Sequence, residues 1–282
     1  MNASQHTKVN CDLCGAPPEE PFLEKFGLWY TRCSACDFVY ANPRAVDPAQ
    51  SNKERNEELL CKYANKHYSE KKQRSYKRTI QKFERYRKTS TILEIGCSTG
   101  GFLYQAKKLG WKATGIEPVV AVADYGIINY GLEILKSLLE DTNFPDRQFD
   151  VIFCNAVLEH LPSPSSVFRE AYRILRPGGV FFADTVNIQS YTWENIGADW
   201  KLVDPRYHLS LFSPETLACY CTKYGFKIIK STTHGVRLRA NFLGRPSGLT
   251  RVMGEIKKAP LSLLSRYNLK GDSIAILAMK PL

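Results

Sequence analysis

Two cysteine pairs stand near the start of the chain, "CDLC" (Cys11, Cys14) and "CSAC" (Cys33, Cys36), with 18 residues between them. Two C-x-x-C knuckles at this distance can place four thiolates tetrahedrally around one Zn2+ ion. The intervening "GAPPEEPFLEKFGLWYTR" is too short to build a core, so metal binding would supply the folding free energy. Four thiolates leave no position for water, which makes this a structural site. A redox dithiol would open a helix after a strand, and neither pair does. Cys61, Cys97, Cys154, Cys219 and Cys221 read as packing residues. An odd total of nine cysteines in 282 residues argues against a disulfide scaffold. The N-terminal "MNASQHTKVNC" has no apolar secretory core and no run approaches the roughly 20 apolar residues of a membrane span, so a cytoplasmic protein is expected.

The second stretch with chemical content is "ILEIGCSTGG", Ile92 to Gly101, followed by the helical pattern "FLYQAKKLGW". Strand, glycine turn and helix form a nucleotide-type site. A dinucleotide turn reads G-x-G-x-x-G and seats a pyrophosphate. Here Glu94 precedes Gly96 by two residues and Gly100 follows by four, giving E-x-G-x-x-x-G. An acid at the strand end suits a cationic ligand. S-adenosylmethionine carries an ammonium and a sulfonium and no phosphate. About 20 residues on, "ATGIEP" ends in Glu117, placed to accept hydrogen bonds from both ribose hydroxyls.

These residues need elements to hold them. From Thr91 onward apolar runs and helical patterns alternate: "TILEIG", "KATGIE", "FDVIFCN" and "GGVFFADT" read as buried parallel strands. "GFLYQAKKLG", "VVAVADYGIINYG" and "SPSSVFREAYRIL" read as the helices between them. A helix "SPETLACYCTKYG" and strands "FKIIKSTT" and "SIAILAMK" follow, with no clear period over residues 236–271. This alternation predicts an α/β fold, a mostly parallel sheet with helices on both faces. Three parts result: a zinc ribbon over 1–45, a basic helical linker or lid over 46–90, and an α/β domain over 91–282. In the linker Tyr76, Ile80, Phe83 and Arg87 recur at steps of three or four, one stripe able to pack. Between Ser51 and Ser90 stand 13 Lys/Arg and 5 Glu, so +8 of the net +11 lies there. Such a segment is either a solvated helix face or a docking surface for phosphate-bearing ligands or RNA. Tyr63, Tyr68 and Tyr76 are its candidate contributors to a lid. Hydrophobic residues at 44% and charged residues at 24% fit an ordinary globular chain.

The blocks "LEIGCSTGGF", "GIEP", "NFPDRQFDVIFCNAVLEHLPSP" and "EAYRILRPGGVFFADT" resemble, in order and spacing, the class I S-adenosylmethionine-dependent methyltransferases. The resemblance implies a Rossmann-like, seven-stranded domain. It also implies that Glu94, Gly96 and Gly100, with Cys97 beside them, shape the methionine end. Glu117 and Pro118 would meet the ribose, Leu139 and Glu140 would flank the adenine, and Asn155 and Ala156 would line the sulfonium side. Ser98 and Leu138 depart from the family, which often has glycine and an acid there. With the four cysteines, "YANPR" (Tyr40 to Arg44) and "HLSLFS", nearly the whole chain resembles bacterial sugar and secondary-metabolite methyltransferases. In those a histidine of the last block acts as base; His208 matches it, while Tyr207 replaces the preceding acid and shifts the reading from C- to O-methylation.

Methyl transfer needs the acceptor atom about 3 Å from the methyl carbon and, for a hydroxyl, a group that takes its proton. Of five histidines, His208 follows the fifth strand on the ligand side of such sheets, as base or as a positioning residue. His160, in "LEHL" after the fourth strand, is the second catalytic candidate. A similar acid-histidine block in related quinone methyltransferases is linked to a divalent metal, but Ala156 stands where the further acid would be. Trp200, Arg206 and Tyr207 would suit a sugar ring bearing a phosphate, with Trp200 alternatively a core anchor. The expected activity is methylation of a small-molecule hydroxyl on a sugar, nucleotide-sugar or secondary metabolite. The alternative is an RNA or protein methyltransferase docking through ribbon and basic helix.

Overall fold

The computed structural model describes residues 6–45, 60, 64, 66–237 and 260–282. Five short strands come first: β1 (His6–Thr7), β2 (Pro21–Lys25), β3 (Leu28–Arg32), β4 (Val39–Ala41) and β5 (Arg44–Ala45). Helix α1 (Glu70–Gln81) leads to β6 (Thr91–Ile95), α2 (Gly101–Lys108), β7 (Lys112–Ile116), α3 (Val120–Tyr130) and β8 (Glu133–Leu135). Then follow β9 (Phe149–Asn155), α4 (Pro164–Ile174), β10 (Leu175–Val186), α5 (Tyr191–Ile196), β11 (Ser210–Leu211), α6 (Pro214–Lys223), β12 (Lys227–His234) and β13 (Ser273–Met279).

Seven strands form one sheet in the order β12-β13-β10-β9-β6-β7-β8. β8, β7, β6, β9 and β10 run parallel, and β13 inserts antiparallel beside β10 and β12. The continuous apolar run of β9 is buried along six of its seven residues because both sheet faces are covered. Helix α4 shows how the cover is made: Val167, Phe168, Ala171 and Ile174 fall on one side of the helix and are buried against the sheet. The chain passes from β6 to β7 on one side and to β9 on the other. The crevice at that reversal, beyond the carboxyl ends of the strands, is where open parallel sheets take ligands.

The N-terminal strands do not stand apart from this sheet. β2, β3 and β4 form an antiparallel sheet whose fourth member is β11, with Ser210 opposite Tyr40. Phe38 packs on Phe212 and Tyr220 with ring centroids 5.4 Å away in each case. Cys11, Leu13, Cys33, Phe38 and Tyr40 lie in the same apolar cluster as Phe168, Phe181 and Ile276.

In the described part of the basic segment the helix is short. Its described helix ends at Gln81, and a single 3-10 turn covers Glu84–Tyr86. The stripe holds in part: Ile80 and Phe83 are buried against Phe102 and Trp111. Beyond the 3-10 turn, Asp150 gathers the chain that leads into β6. One carboxylate oxygen accepts from the amides of Lys88, Thr89 and Ser90, each at 2.8 Å, and the other pairs with Arg176. Tyr63 and Cys61 lie outside the described residues.

Candidate functional site

β6 delivers Glu94 to the floor of the crevice, where 7% of its surface stays exposed. Its Oε2 is buried with no hydrogen-bond partner. Burial, with Glu117 adding to it, holds the carboxyl well above the usual range, against a smaller opposing effect of Lys72. A cationic group entering here would meet an acceptor that the protein itself leaves unused. The turn above it is built for close approach. Gly96 has φ 65°, and a Cβ there would lie 2.4 Å from Val157 Cγ2. Gly100, at φ 77°, begins α2.

β7 carries Glu117 to the adjacent position. Oε2 accepts from Ser98 N and Oε1 from Val119 N, both at 3.0 Å. The carboxylate is therefore fixed in orientation, and each oxygen keeps a second lone pair. Burial raises its pKa and the two amides work the other way. Cys97 is buried beneath the turn, its amide donating to Ile116 O at 3.0 Å. Pro118 is exposed beyond it. Leu139 is buried in a 3-10 turn, and exposed Glu140 accepts from Ser166 Oγ at 3.2 Å. Asn155 and Ala156 are exposed at the end of β9, and Ala156 takes φ 55° as its amide donates to Asp184 O at 2.8 Å.

The segment before α1 closes on this turn. Tyr68 donates its hydroxyl to Thr99 O, and His67 Nδ1 is 3.0 Å from Thr99 Oγ1. Gln73 Nε2 donates to the carbonyls of His67 and Gly101, each at 2.9 Å. Tyr68 stacks on Tyr130 at 3.7 Å between centroids, and Tyr76 packs edge-on to Phe102 at 5.8 Å. Burial, then Lys72 and Lys66, push His67 down to about 4.

Elsewhere at this end of the sheet two imidazoles come together. His160, in the turn after β9, and His208, just before β11, cross edge-to-face with centroids 4.8 Å apart. His160 Nδ1 lies 2.8 Å from Tyr207 O and His208 Nδ1 lies 2.6 Å from Leu202 O. A carbonyl only accepts, so both Nδ1 atoms carry the proton and Nε2 is the lone-pair nitrogen of each ring. Glu159, buried beside them, accepts from Thr185 Oγ1 at 2.7 Å. One ligand atom from each of Glu159, His160 and His208 lies within 4.8 Å of the others.

Trp200 requires correction. It is fully buried in the cluster of Tyr30, Val39, Ala41, Val186 and Val203, so it anchors the second core and does not face a sugar. The sequence around it gave no periodicity that would have distinguished the two. Arg206 is exposed, bonded to Asp204 at 2.9 and 2.8 Å and lying 3.8 Å over the Phe26 ring, with half-buried Tyr207 next to it. Two residues of the crevice were not singled out from sequence. Asp184 lies near the end of β10 opposite Asn155, and burial with Glu159 pushes it up to about 8. An acid at the end of the fifth strand, "FFADT", was the available signal. Lys72, half-buried on α1, sets its charge towards Glu94 and Asp184; nothing in its own basic surroundings separated it from its neighbours.

The four N-terminal cysteines converge. Cys11 and Cys36 sulfurs are 3.5 Å apart, as are those of Cys14 and Cys33, and all four lie within 4.8 Å. Zn–S bonds of about 2.3 Å in a tetrahedron put sulfurs roughly 3.8 Å apart, so the cluster fits the ion. Each pair makes the same turn. Gly15 N donates to Cys11 O and Asp37 N to Cys33 O, both at 2.7 Å, with positive φ at Gly15 and Asp37. Burial pushes the Cys11 thiol up to about 11, a cost that a cation at the centre would reverse.

The family model described as "Methyltransferase domain" matches residues 68–231, more than half of the chain. The chain belongs to this methyltransferase-domain family. Among similar solved structures of the family's fold, a SAM-dependent methyltransferase from Thermotoga maritima superposes with a TM-score of 0.55 at 20% identity, covering 83% of this chain and 100% of that one. Another from Archaeoglobus fulgidus gives 0.55 at 21% identity, covering 77% and 98%. The ubiquinone biosynthesis O-methyltransferase of Pseudomonas putida (strain W619) is 40% identical over 123 residues, 39% of this chain and 51% of that protein. The chain thus spans about half the length of the curated relatives it matches. No helix among the described residues is long and apolar enough to cross a membrane.

Proposed function

We propose that this methyltransferase moves the methyl group of S-adenosylmethionine to a hydroxyl of a small-molecule acceptor, a sugar, nucleotide-sugar or secondary metabolite. The observation that carries the reading is the buried, unpartnered Oε2 of Glu94 under a turn in which a Cβ on Gly96 would collide with Val157. Glu94 would hold the ammonium, the Gly96 backbone would pass under the methionine chain, and Glu117 would take the ribose hydroxyls with its remaining lone pairs. Leu139 and Glu140 would border the adenine, with Pro118 beside the ribose. Asn155 and Ala156, at the open end of β9, would line the sulfonium. S-adenosylmethionine supplies an electrophilic methyl on that sulfonium.

His208 would remove the acceptor's proton at Nε2, its Nδ1–H fixed on Leu202 O so that the lone pair has one direction. His160 sits against it as the second imidazole and orients it edge-on. The name of the Pseudomonas relatives favours oxygen as the acceptor atom. Cys11, Cys14, Cys33 and Cys36 would hold a structural zinc ion.

The test is incubation with methyl-labelled S-adenosylmethionine and a panel of sugar, nucleotide-sugar and aryl hydroxyl acceptors. Label in a methyl ether supports the reading. Label in added RNA or protein, with none in the panel, overturns it in favour of macromolecular methylation.

A further inference from the structure

The N-terminal unit grips the chain on both sides of the histidine pair. On one side, the second cysteine pair runs directly into β4, which ladders with β11 two residues after His208. Ala41 N extends that ladder by donating to Leu209 O at 2.8 Å. Tyr30, fully buried on β3, donates its hydroxyl to the carbonyl of His208 itself at 2.6 Å.

On the other side, the first pair brackets Asp12. Its carboxylate accepts from Ser163 Oγ at 2.5 Å, Ser165 N at 2.9 Å and Tyr220 OH at 2.8 Å. Its carbonyl accepts from Ser165 Oγ at 3.0 Å. Ser163, the N-cap of α4, makes no side-chain cap of its own. Asp12 therefore caps α4 from a distant part of the chain by taking the first-turn amide of Ser165. This fixes the backbone three residues beyond His160, and Arg44 Nη1 holds the intervening Pro162 O at 2.6 Å. His160 Nδ1–H donating to Tyr207 O joins the two sides. None of these bonds reaches Glu94, Gly96 or Glu117.

We propose that the four-cysteine unit is a positioning element for the acceptor-side histidines, with Tyr30 setting His208 and Asp12 setting the His160 loop. The roles of the two histidines rest on the function proposed above. The N-terminal unit then acts on the acceptor-side histidines and leaves methyl-donor binding alone. Tyr30 touches no reacting atom; its hydroxyl acts through the His208 backbone.

The experiment uses the full chain, zinc-loaded and 15N-labelled at histidine, and follows the Nδ1–H signals of His160 and His208. S-adenosylhomocysteine binding is measured by calorimetry on the same samples. Tyr30→Phe, which removes one oxygen, is expected to move the His208 signal and speed its Nδ1–H exchange at least tenfold. Asp12→Ala, or Asp12→Asn where the alanine variant fails to fold, is expected to do so for His160. S-adenosylhomocysteine affinity should stay within twofold of wild type in each. Leu217→Val, in buried α6, serves as a control with a comparable loss of thermal stability and should move neither signal. Unmoved signals in the Tyr30 and Asp12 variants overturn the proposal, as do equal shifts in Leu217→Val or a parallel loss of S-adenosylhomocysteine binding. A wild type that fails to bind S-adenosylhomocysteine would sink the donor-site reading, while the imidazole signals would still decide the positioning claim.

Discussion

Replacing Glu94 with Gln should strengthen the fold and weaken the methyl-donor complex together. The side chain is buried, one of its oxygens has no partner, and its pKa is held well above the usual carboxyl range by burial and by Glu117. A carboxyl whose folded pKa exceeds its unfolded value binds more protons in the folded state over the interval between the two. Stability therefore falls as pH rises from about 4.3 through that interval. Gln keeps the shape without the charge. What it removes is the cost of ionising a buried carboxyl, about 1.4 kcal/mol per pKa unit, so relief of about 1 kcal/mol at neutral pH would raise Tm by about 2–4 °C. Binding responds in the opposite direction. Hydrogen bonds to charged groups are worth about 1–1.5 kcal/mol more than neutral ones, which corresponds to roughly tenfold in affinity for an ammonium. Wild-type affinity for S-adenosylhomocysteine should also rise with pH as Glu94 loses its proton, and the Gln variant should depend on pH less steeply, keeping only the contribution of Glu117. Scanning calorimetry from pH 4 to 8 and titration calorimetry give both numbers. A Glu94→Gln variant that binds as wild type does, or that loses stability and affinity together, would refute the assignment of this carboxylate to the ammonium.

Glu117→Ala should weaken S-adenosylhomocysteine at least tenfold by calorimetry, because two charge-assisted bonds to ribose hydroxyls go; equal binding would remove the ribose role. Gly96→Ala forces a side chain into a left-handed turn against Val157 and should lower Tm and abolish donor binding, whereas retained binding would mean the turn is not the cradle. His208→Ala should keep donor affinity and cut turnover on an identified acceptor by about 10²–10⁴-fold, and unchanged turnover would exclude it as base. Metal analysis should find one zinc per chain, and Cys14→Ser should lose it together with a fall in Tm; a metal-free wild type of full stability contradicts the structural site.

Much of this was legible from sequence where long-period patterns carry the signal. "TILEIG", "KATGIE" and "FDVIFCN" became β6, β7 and β9 because runs buried on both faces need no partner to identify them. The strand-end acids and the glycine turn between them were visible because turn chemistry ties residue type to position, and the structure brings Glu94, Gly96 and Glu117 to one end of the sheet. The cysteine cluster was readable for the same reason, through ligand spacing. What stayed hidden depends on distant contacts. β8 and β11 are three and two residues long and carry no period of their own. The pairing of β11 with β4, which welds the N-terminal unit to the histidine loop, left no trace in either segment alone. The gathering of the Lys88, Thr89 and Ser90 amides on Asp150, over 60 positions from the first of them, could not be read from the basic linker itself. Trp200 could be read as surface or core from sequence, and the cluster around Tyr30 decided for core.

A crystal structure with S-adenosylhomocysteine tests the central claim most directly. The account predicts density beside Gly96, with the amino group on Glu94 Oε2, both ribose hydroxyls on Glu117 and the sulfur facing the side of the crevice where His160 and His208 meet. The ligand seated elsewhere, or bound with Glu94 and Glu117 untouched, would contradict it.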